Sequence, residues 1–202
     1  MNFDKYAKEW DDEERINRAK IISEKIEKTI PMNKDYSVME FGCGTGLISF
    51  NLQDKFGKIT LVDSSEGMIE VLNSKMDKYK VNNMTAKKID IFNEPIEEKF
   101  DVIYSSMALH HVKDTKGIVE IFYKLLNNNG YLCIVDLDKE DGSFHKREEN
   151  FNGHNGFDQK NLKELLIASK FKDVYSETFF KDTKNIWGKD IDYSLFIVSA
   201  KK

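Results

Sequence analysis

Cysteine is scarce: Cys43 and Cys133 are the two in 202 residues. Each sits in an apolar stretch, far from the other. They supply neither a disulfide framework nor the paired spacing of a zinc site. Long hydrophobic runs are missing too; none approaches the roughly 20 residues that a membrane helix needs. The opening Met1-Asn2-Phe3-Asp4-Lys5 lacks the charged-then-apolar order of a signal peptide. Nor is there an excess of one charge. Lys and Arg total 31 against 35 Asp and Glu, a net charge of -4, which gives no electrostatic reason to expect a nucleic-acid partner. Repeats, low-complexity stretches and linkers are absent. These absences lead us to expect one cytoplasmic domain with reduced thiols and no membrane partner.

What is present is an alternation. Ile16, Ala19, Ile22, Ile26 and Ile30 fall at helical spacing over Glu13–Ile30, and Pro31 and Asn33 end that helix. Strand patterns follow at Tyr36–Phe41, Lys58–Val62, Met84–Ile89, Phe100–Ser105 and Tyr131–Leu137. Helix patterns lie between most of them, at Gly46–Lys55, at Ser65–Lys78 with Ser64 or Ser65 as cap, and around Thr115–Leu126. Asn127-Asn128-Asn129-Gly130 is turn chemistry. Short strands alternating with helices predict a parallel sheet covered on both faces. The last third differs. Asp138–Gly156 reads as a long polar loop and Phe157–Ser169 as a helix capped near Asp158. Val174–Phe180 and Tyr193–Ala200 read as two strands without a helix between them, hence antiparallel.

The densest chemistry is at Val38-Met39-Glu40-Phe41-Gly42-Cys43-Gly44-Thr45-Gly46-Leu47-Ile48-Ser49. A strand ends in an acid, three alternating glycines follow, and a helix begins. A dinucleotide site wants G-x-G-x-x-G. Leu47 or Ser49, depending on the register, stands where its third glycine belongs. No Gly-Lys-Ser/Thr follows, which removes the phosphate loop of nucleotide triphosphatases. The next strand ends in Asp63-Ser64, about twenty residues after Gly42, the distance at which a carboxylate meets ribose hydroxyls in glycine-loop folds. Met68 lies one turn into the following helix. Lys88-Ile89-Asp90-Ile91 closes the third strand, and Tyr104-Ser105-Ser106 the fourth.

Acid-x-Gly-x-Gly-x-Gly with these strand ends resembles the class I S-adenosylmethionine (SAM)-dependent methyltransferases, in particular their small-molecule, UbiE-like bacterial group. The resemblance is close over about residues 35 to 137. It implies a Rossmann-like, doubly wound α/β sheet of seven strands, mostly parallel, with an antiparallel C-terminal hairpin strand. It implies a SAM site in which Glu40 faces the cofactor's ammonium group. Gly42, Cys43, Gly44 and Gly46 form the floor, and Asp63 and Ser64 meet the ribose. Met68, Asp90 and Ile91 surround the adenine, and the Ser105 backbone meets the methionine end. Residues 1–33 would be a helical lid carrying Tyr6 and Trp10, and residues 34–202 the core.

Candidates for orienting or deprotonating the acceptor are His110 and His111, directly after the fourth strand, and His154, before the last helix. The stretch Asp136-Leu137-Asp138-Lys139-Glu140-Asp141-Gly142-Ser143-Phe144-His145 resembles the loop after the fifth strand in the same group. His154-Asn155-Gly156-Phe157 resembles its His-His-Gly-Phe segment, with Asn155 in place of the second His. Asp138 and Asp141 alone do not make a metal site, so no metal is expected. The Asn/Asp-Pro-Pro-aromatic motif of base and glutamine methylation is absent, as is the paired-glutamate loop of arginine methylation. A small-molecule acceptor is therefore expected, with a monomer or homodimer as the assembly. A macromolecular acceptor such as tRNA or protein, and a SAM-binding protein without catalysis, stand as the alternatives.

Overall fold

The computed structural model describes residues 3–148 and 151–202. Met1 and Asn2 of the proposed lid, and Glu149 and Asn150 of the long loop, lie outside the described residues. Helix α1 (Phe3–Tyr6) and a 3-10 turn precede α2 (Glu13–Thr29). The chain then runs β1 (Ser37–Phe41), α3 (Leu47–Leu52), β2 (Lys58–Asp63), α4 (Glu66–Tyr79), β3 (Met84–Lys88) and β4 (Phe100–Ser106). It ends with α5 (Thr115–Leu125), β5 (Leu126–Leu137), α6 (Gln159–Ala168), β6 (Lys172–Ile186) and β7 (Lys189–Lys201).

The seven strands form one sheet in the order β3-β2-β1-β4-β5-β7-β6. Neighbours from β3 to β5 are parallel; β5 with β7 and β7 with β6 are antiparallel. This is the expected doubly wound sheet with its C-terminal hairpin. Strand order reverses between β1 and β4, and in open α/β sheets ligands bind outside the carboxyl ends of strands at such a switch point.

Both faces of the sheet are covered. Ile22 and Ile26 of α2, Leu52 of α3 and Leu72 of α4 pack on one face with Val38, Ile59, Leu61 and Tyr104. Ile118, Val119 and Phe122 of α5 and Leu162 and Leu166 of α6 pack on the other with Met39, Val62, Ile103 and Phe196. β1 alternates between them, Val38 to one side and Met39 to the other, as the two-residue pleat requires.

The helices start where acids and hydroxyls can cap them. Asp12 accepts the Arg15 amide at 2.8 Å and Asp114 the Gly117 amide at 2.8 Å. Ser65, not Ser64, caps α4 by accepting the Met68 amide at 3.2 Å. Asp158 caps α6 through the Asn161 amide at 2.9 Å.

Two elements differ from the sequence expectation. β5 begins at Leu126, and the Asn127–Gly130 turn chemistry appears inside it as a shift in register between Phe100 and Val102, with Asn129 left-handed at φ 63°. The final hairpin is much longer than its apolar alternation. β6 and β7 continue through polar Lys181–Asn185 and Lys189–Asp192 and turn at Trp187 and Gly188, with φ 53° and 78°. Two left-handed residues suit a tight hairpin, whose turn must match the strand twist. Only Ile186 at the tip and Tyr193 at the base of this outer ribbon are buried, and the residues between are mostly polar, so hydrophobicity did not reveal it.

Candidate functional site

The carboxyl ends of β1 to β4 open into a cavity of about 510 Å³, within the range of small-molecule sites. Its floor is the glycine loop. Gly42 has φ +68°, and a Cβ there would stand 2.3 Å from that of Ala108, so the loop and the segment after β4 touch as closely as backbone allows. A Cβ at Gly44, where φ is +51°, would instead meet Trp10 Nε1 and Met68 Sδ in ordinary van der Waals contact, at 3.8 and 3.9 Å. A glycine there keeps the floor clear of side chains.

Glu40 lines this cavity and is almost wholly buried. Its carboxyl accepts the Ser49 hydroxyl, and Ser49 Oγ lies 2.6 Å from the Tyr104 hydroxyl. Burial pushes the Glu40 carboxyl up to about 8. Ser49 thus sits where a dinucleotide fold has glycine because it must satisfy the acid beneath the loop. Asp63 ties the loop to β2. Its Oδ2 accepts the Gly44 amide at 2.8 Å and its Oδ1 the Ser65 amide at 2.9 Å. Burial raises its carboxyl while those amides pull it down. Burial, with the charges of Asp63 and Glu40, pushes the Cys43 thiol well up, so Cys43 is a wall and not a nucleophile.

Ser64, Met68, Asp90 and Ile91 also line the cavity. Asp90 holds its own turn, accepting the Phe92 amide at 3.2 Å and the Asn93 side-chain amide at 2.7 Å. Two expected residues fall elsewhere. Gly46 is the left-handed residue that starts α3, with a role in the turn. Ser105 is buried inside β4. The strand runs one residue farther than the sequence suggested, so Ser106 and Met107 form the wall at its end. Met107 is left-handed at φ 53°, an uncommon conformation for a residue with a side chain.

The N-terminal segment crosses the mouth. Phe3 and Trp10 line the cavity, and their rings meet edge to face at 5.8 Å. The Arg15 guanidinium lies over Trp10 at 4.3 Å. Asp4 accepts the Ser65 hydroxyl at 2.6 Å and the Gly67 amide at 2.9 Å. Asp11 accepts the Thr45 hydroxyl and the Lys75 ammonium at 2.6 Å. Tyr6 is exposed and does not join the lining. Phe3, Arg15 and Arg18 do, though nothing in their sequence context sets them apart.

Of the three expected histidines, His110 and His111 stay together and His154 lies apart. His111 lines the cavity; burial and neighbouring His110 push its imidazole down to about 3. His110 is buried behind it. Its Nδ1 is 2.5 Å from Asp136 Oδ1, and its amide donates to Asp136 Oδ2 at 3.1 Å. His154 lies off the cavity wall. Its Nε2 meets the Val112 carbonyl at 2.9 Å and the Thr115 hydroxyl at 3.1 Å, and its amide donates to the His110 carbonyl at 2.7 Å. It staples the segment after β4 to the loop.

Residues 32–195 match the family described as "Methyltransferase domain". An uncharacterised methyltransferase of Schizosaccharomyces pombe is 30% identical over 172 residues, 78% of this chain and 60% of that protein. Malonyl-[acyl-carrier protein] O-methyltransferase 1 of Ilyobacter polytropus is 29% identical over 136 residues, 66% of this chain and 49% of that one. The chain thus spans about half to three fifths of these relatives' length. Phosphoethanolamine N-methyltransferase 2 of Haemonchus contortus, solved with SAM, superposes with a TM-score of 0.75 at 18% identity over 92% of this chain and 52% of that one. Fold and cavity define the class: a Rossmann-like sheet with a small-molecule site at its switch point. Within that class, the chain belongs to the methyltransferase domain family, of the class I, SAM-dependent type. Among the described residues, no helix is long and apolar enough to cross a membrane.

Proposed function

We propose that this protein transfers a methyl group from SAM to a small-molecule acceptor by in-line displacement. One observation carries the reading: the side-chain-free floor at Gly44 lies between a buried acid, Glu40, and a second acid, Asp63, in one cavity at the sheet's switch point. When bound, SAM supplies an activated sulfonium methyl group. The protein's part is to hold, orient and exclude water. Asp63 retains lone pairs for ribose hydroxyls beyond its two backbone amides. Glu40 is mostly protonated in the empty site, and a cation beside it draws out its proton. Met68 and Ile91 offer apolar cover for a base, with Asp90 at the edge. Trp10 and Phe3 close the lid formed by residues 1–33.

On the acceptor side, His111 orients rather than deprotonates, since an imidazole held near 3 takes up a proton poorly at neutral pH. His110 supports it from behind, and His154 acts through the Val112 carbonyl. Arg15 and Arg18 reach the lid side of the cavity already paired with Asp12 and Glu14. The burial of the free Cys43 and Cys133 supports a cytoplasmic setting.

Titration calorimetry with SAM and with its demethylated product tests the site; absence of heat from both overturns it. Methyl transfer from labelled SAM to a panel of small metabolites, read by product mass, tests the chemistry. SAM binding with no labelled product from the panel or from cell extract would leave a binding protein without catalysis.

A further inference from the structure

His110, His111 and His145 converge from two separate segments, the turn after β4 and the loop after β5. One nitrogen from each lies within 4.8 Å of the others. The ring centroids are 4.1 Å apart for His110–His111, 4.9 Å for His110–His145 and 5.8 Å for His111–His145. His145 is 3% exposed. Neither of its ring nitrogens has a hydrogen-bond partner among the described residues; Nε2 lies 3.7 Å from a Glu148 carboxylate oxygen. Its ring is fixed by Phe151, stacked parallel at 3.8 Å. Buried polar atoms are normally hydrogen-bonded, so a buried imidazole with neither nitrogen bonded, and one of them within 4.8 Å of two other imidazoles, points to a shared ligand.

Behind the cluster is the arrangement that metal-binding histidines use. Asp136, 0% exposed, takes His110 Nδ1 at 2.5 Å and leaves Nε2 as the nitrogen that could ligate. A carboxylate on the far nitrogen fixes the tautomer and ring angle of a ligating imidazole. Asp136 is itself anchored by the Leu137 amide at 2.7 Å and the His110 amide at 3.1 Å.

We propose that His110, His111 and His145 bind one divalent transition-metal ion, zinc foremost. Three neutral imidazoles are a recurrent ligand set for zinc, with a fourth position left open. At zinc–nitrogen bonds of about 2.0–2.1 Å, tetrahedral ligand atoms stand about 3.4 Å apart, so the ion draws the rings inward. Because His111 also lines the cavity, the open position faces the acceptor side. The role there rests on the methyltransferase reading: the ion would ligate an acceptor hydroxyl, thiol or carboxylate and hold it before the methyl group.

Metal binding is measured without SAM, so its failure and the failure of that reading are separate results. The chelator-stripped full chain, dialysed against zinc and assayed by elemental mass spectrometry, should hold one zinc per chain. Cobalt(II) should give the visible absorption of a low-coordinate nitrogen site. His110→Ala and His145→Ala should lose at least tenfold in affinity, and Asp136→Asn should weaken it about 10–100-fold. Tyr175→Ala, at an exposed position on β6, should bind as the parent does. A parent chain that holds no zinc and shows no cobalt absorption overturns the proposal, and so does unchanged affinity in the histidine variants. Should those variants fail to fold, the parent decides: zinc must raise its melting temperature, and no rise counts against the site.

Discussion

The Asp63 carboxylate accepts the Gly44 amide at 2.8 Å, so the acid at the end of β2 shapes the glycine loop that β1 delivers. Position and role coincide. The carboxylate that we propose for the ribose hydroxyls also holds the glycine loop through the Gly44 amide. Asp63→Ala should therefore weaken SAM binding more than loss of one contact would. A hydrogen bond to a charged group contributes about 1.5–3 kcal/mol, or about 10–100-fold in affinity. Asp63→Asn should recover part of it, because one oxygen can still accept an amide. Calorimetry reads both, and an unchanged affinity in the alanine variant would remove Asp63 from the site.

Glu40 makes stability depend on pH. Its carboxyl is raised from 4.5 to about 8 by burial. Between those values the folded protein keeps a proton that the unfolded chain has released. Its stabilising contribution is complete below 4.5 and is lost as pH rises through about 8. Urea midpoints should fall over that window, and Glu40→Gln should flatten the fall. SAM, whose ammonium group we propose meets this carboxyl, should bind more tightly as pH rises through the same range; a pH-independent affinity would separate Glu40 from the ammonium group.

Gly42→Ala combines two costs. The backbone is left-handed, and the new methyl would stand 2.3 Å from Ala108 Cβ. Strain of that kind costs about 1–3 kcal/mol, and the overlap adds to it. The melting temperature should drop. Adding Ala108→Gly should restore part of it by removing the overlap while the backbone strain stays. No recovery in the double variant would mean that the contact is not the cause.

The N-terminal segment that we propose as a lid is held by side chains that can be removed singly. Asp4→Ala deletes the acceptor for the Ser65 hydroxyl and the Gly67 amide. The chain has two tryptophans, and Trp187 is 72% exposed. In a Trp187→Phe background, Trp10 reports on the lid alone. Asp4→Ala should shift its emission toward the red and speed SAM dissociation. Emission that matches the Asp4 parent would show that Asp11 and Arg15 suffice to hold the segment.

The sheet and much of the cavity wall were legible because each rests on local pattern. Strand ends, glycine spacing and the acid after β2 are contiguous signals, and they located Glu40, Asp63, Asp90 and Ile91. Ser49 was visible as a missing glycine, but its bond to Glu40 needs the turn that brings α3 back over β1. Phe3, Arg15 and Arg18 were illegible because they reach the cavity only when the segment folds across the mouth. His145 was seen only as one polar residue of a long loop. Its meeting with His110 depends on the length and path of that loop, which no periodicity records. The histidine pair after β4 was the readable half of that cluster.

β6 lies at the free border of the sheet, where a row of unpaired backbone groups could accept a strand from another molecule. The border is long, running from Lys172 to Ile186. It carries Lys172, Asp173, Lys181 and Asp182 in exposed positions, and its register slips twice, near Lys172/Tyr175 and Thr178/Phe180. Charge and irregularity both resist in-register addition of a neighbour. The polar ribbon that hid from hydrophobic patterning therefore has a colloidal role: it keeps the most extended edge of the protein from becoming a template for aggregation.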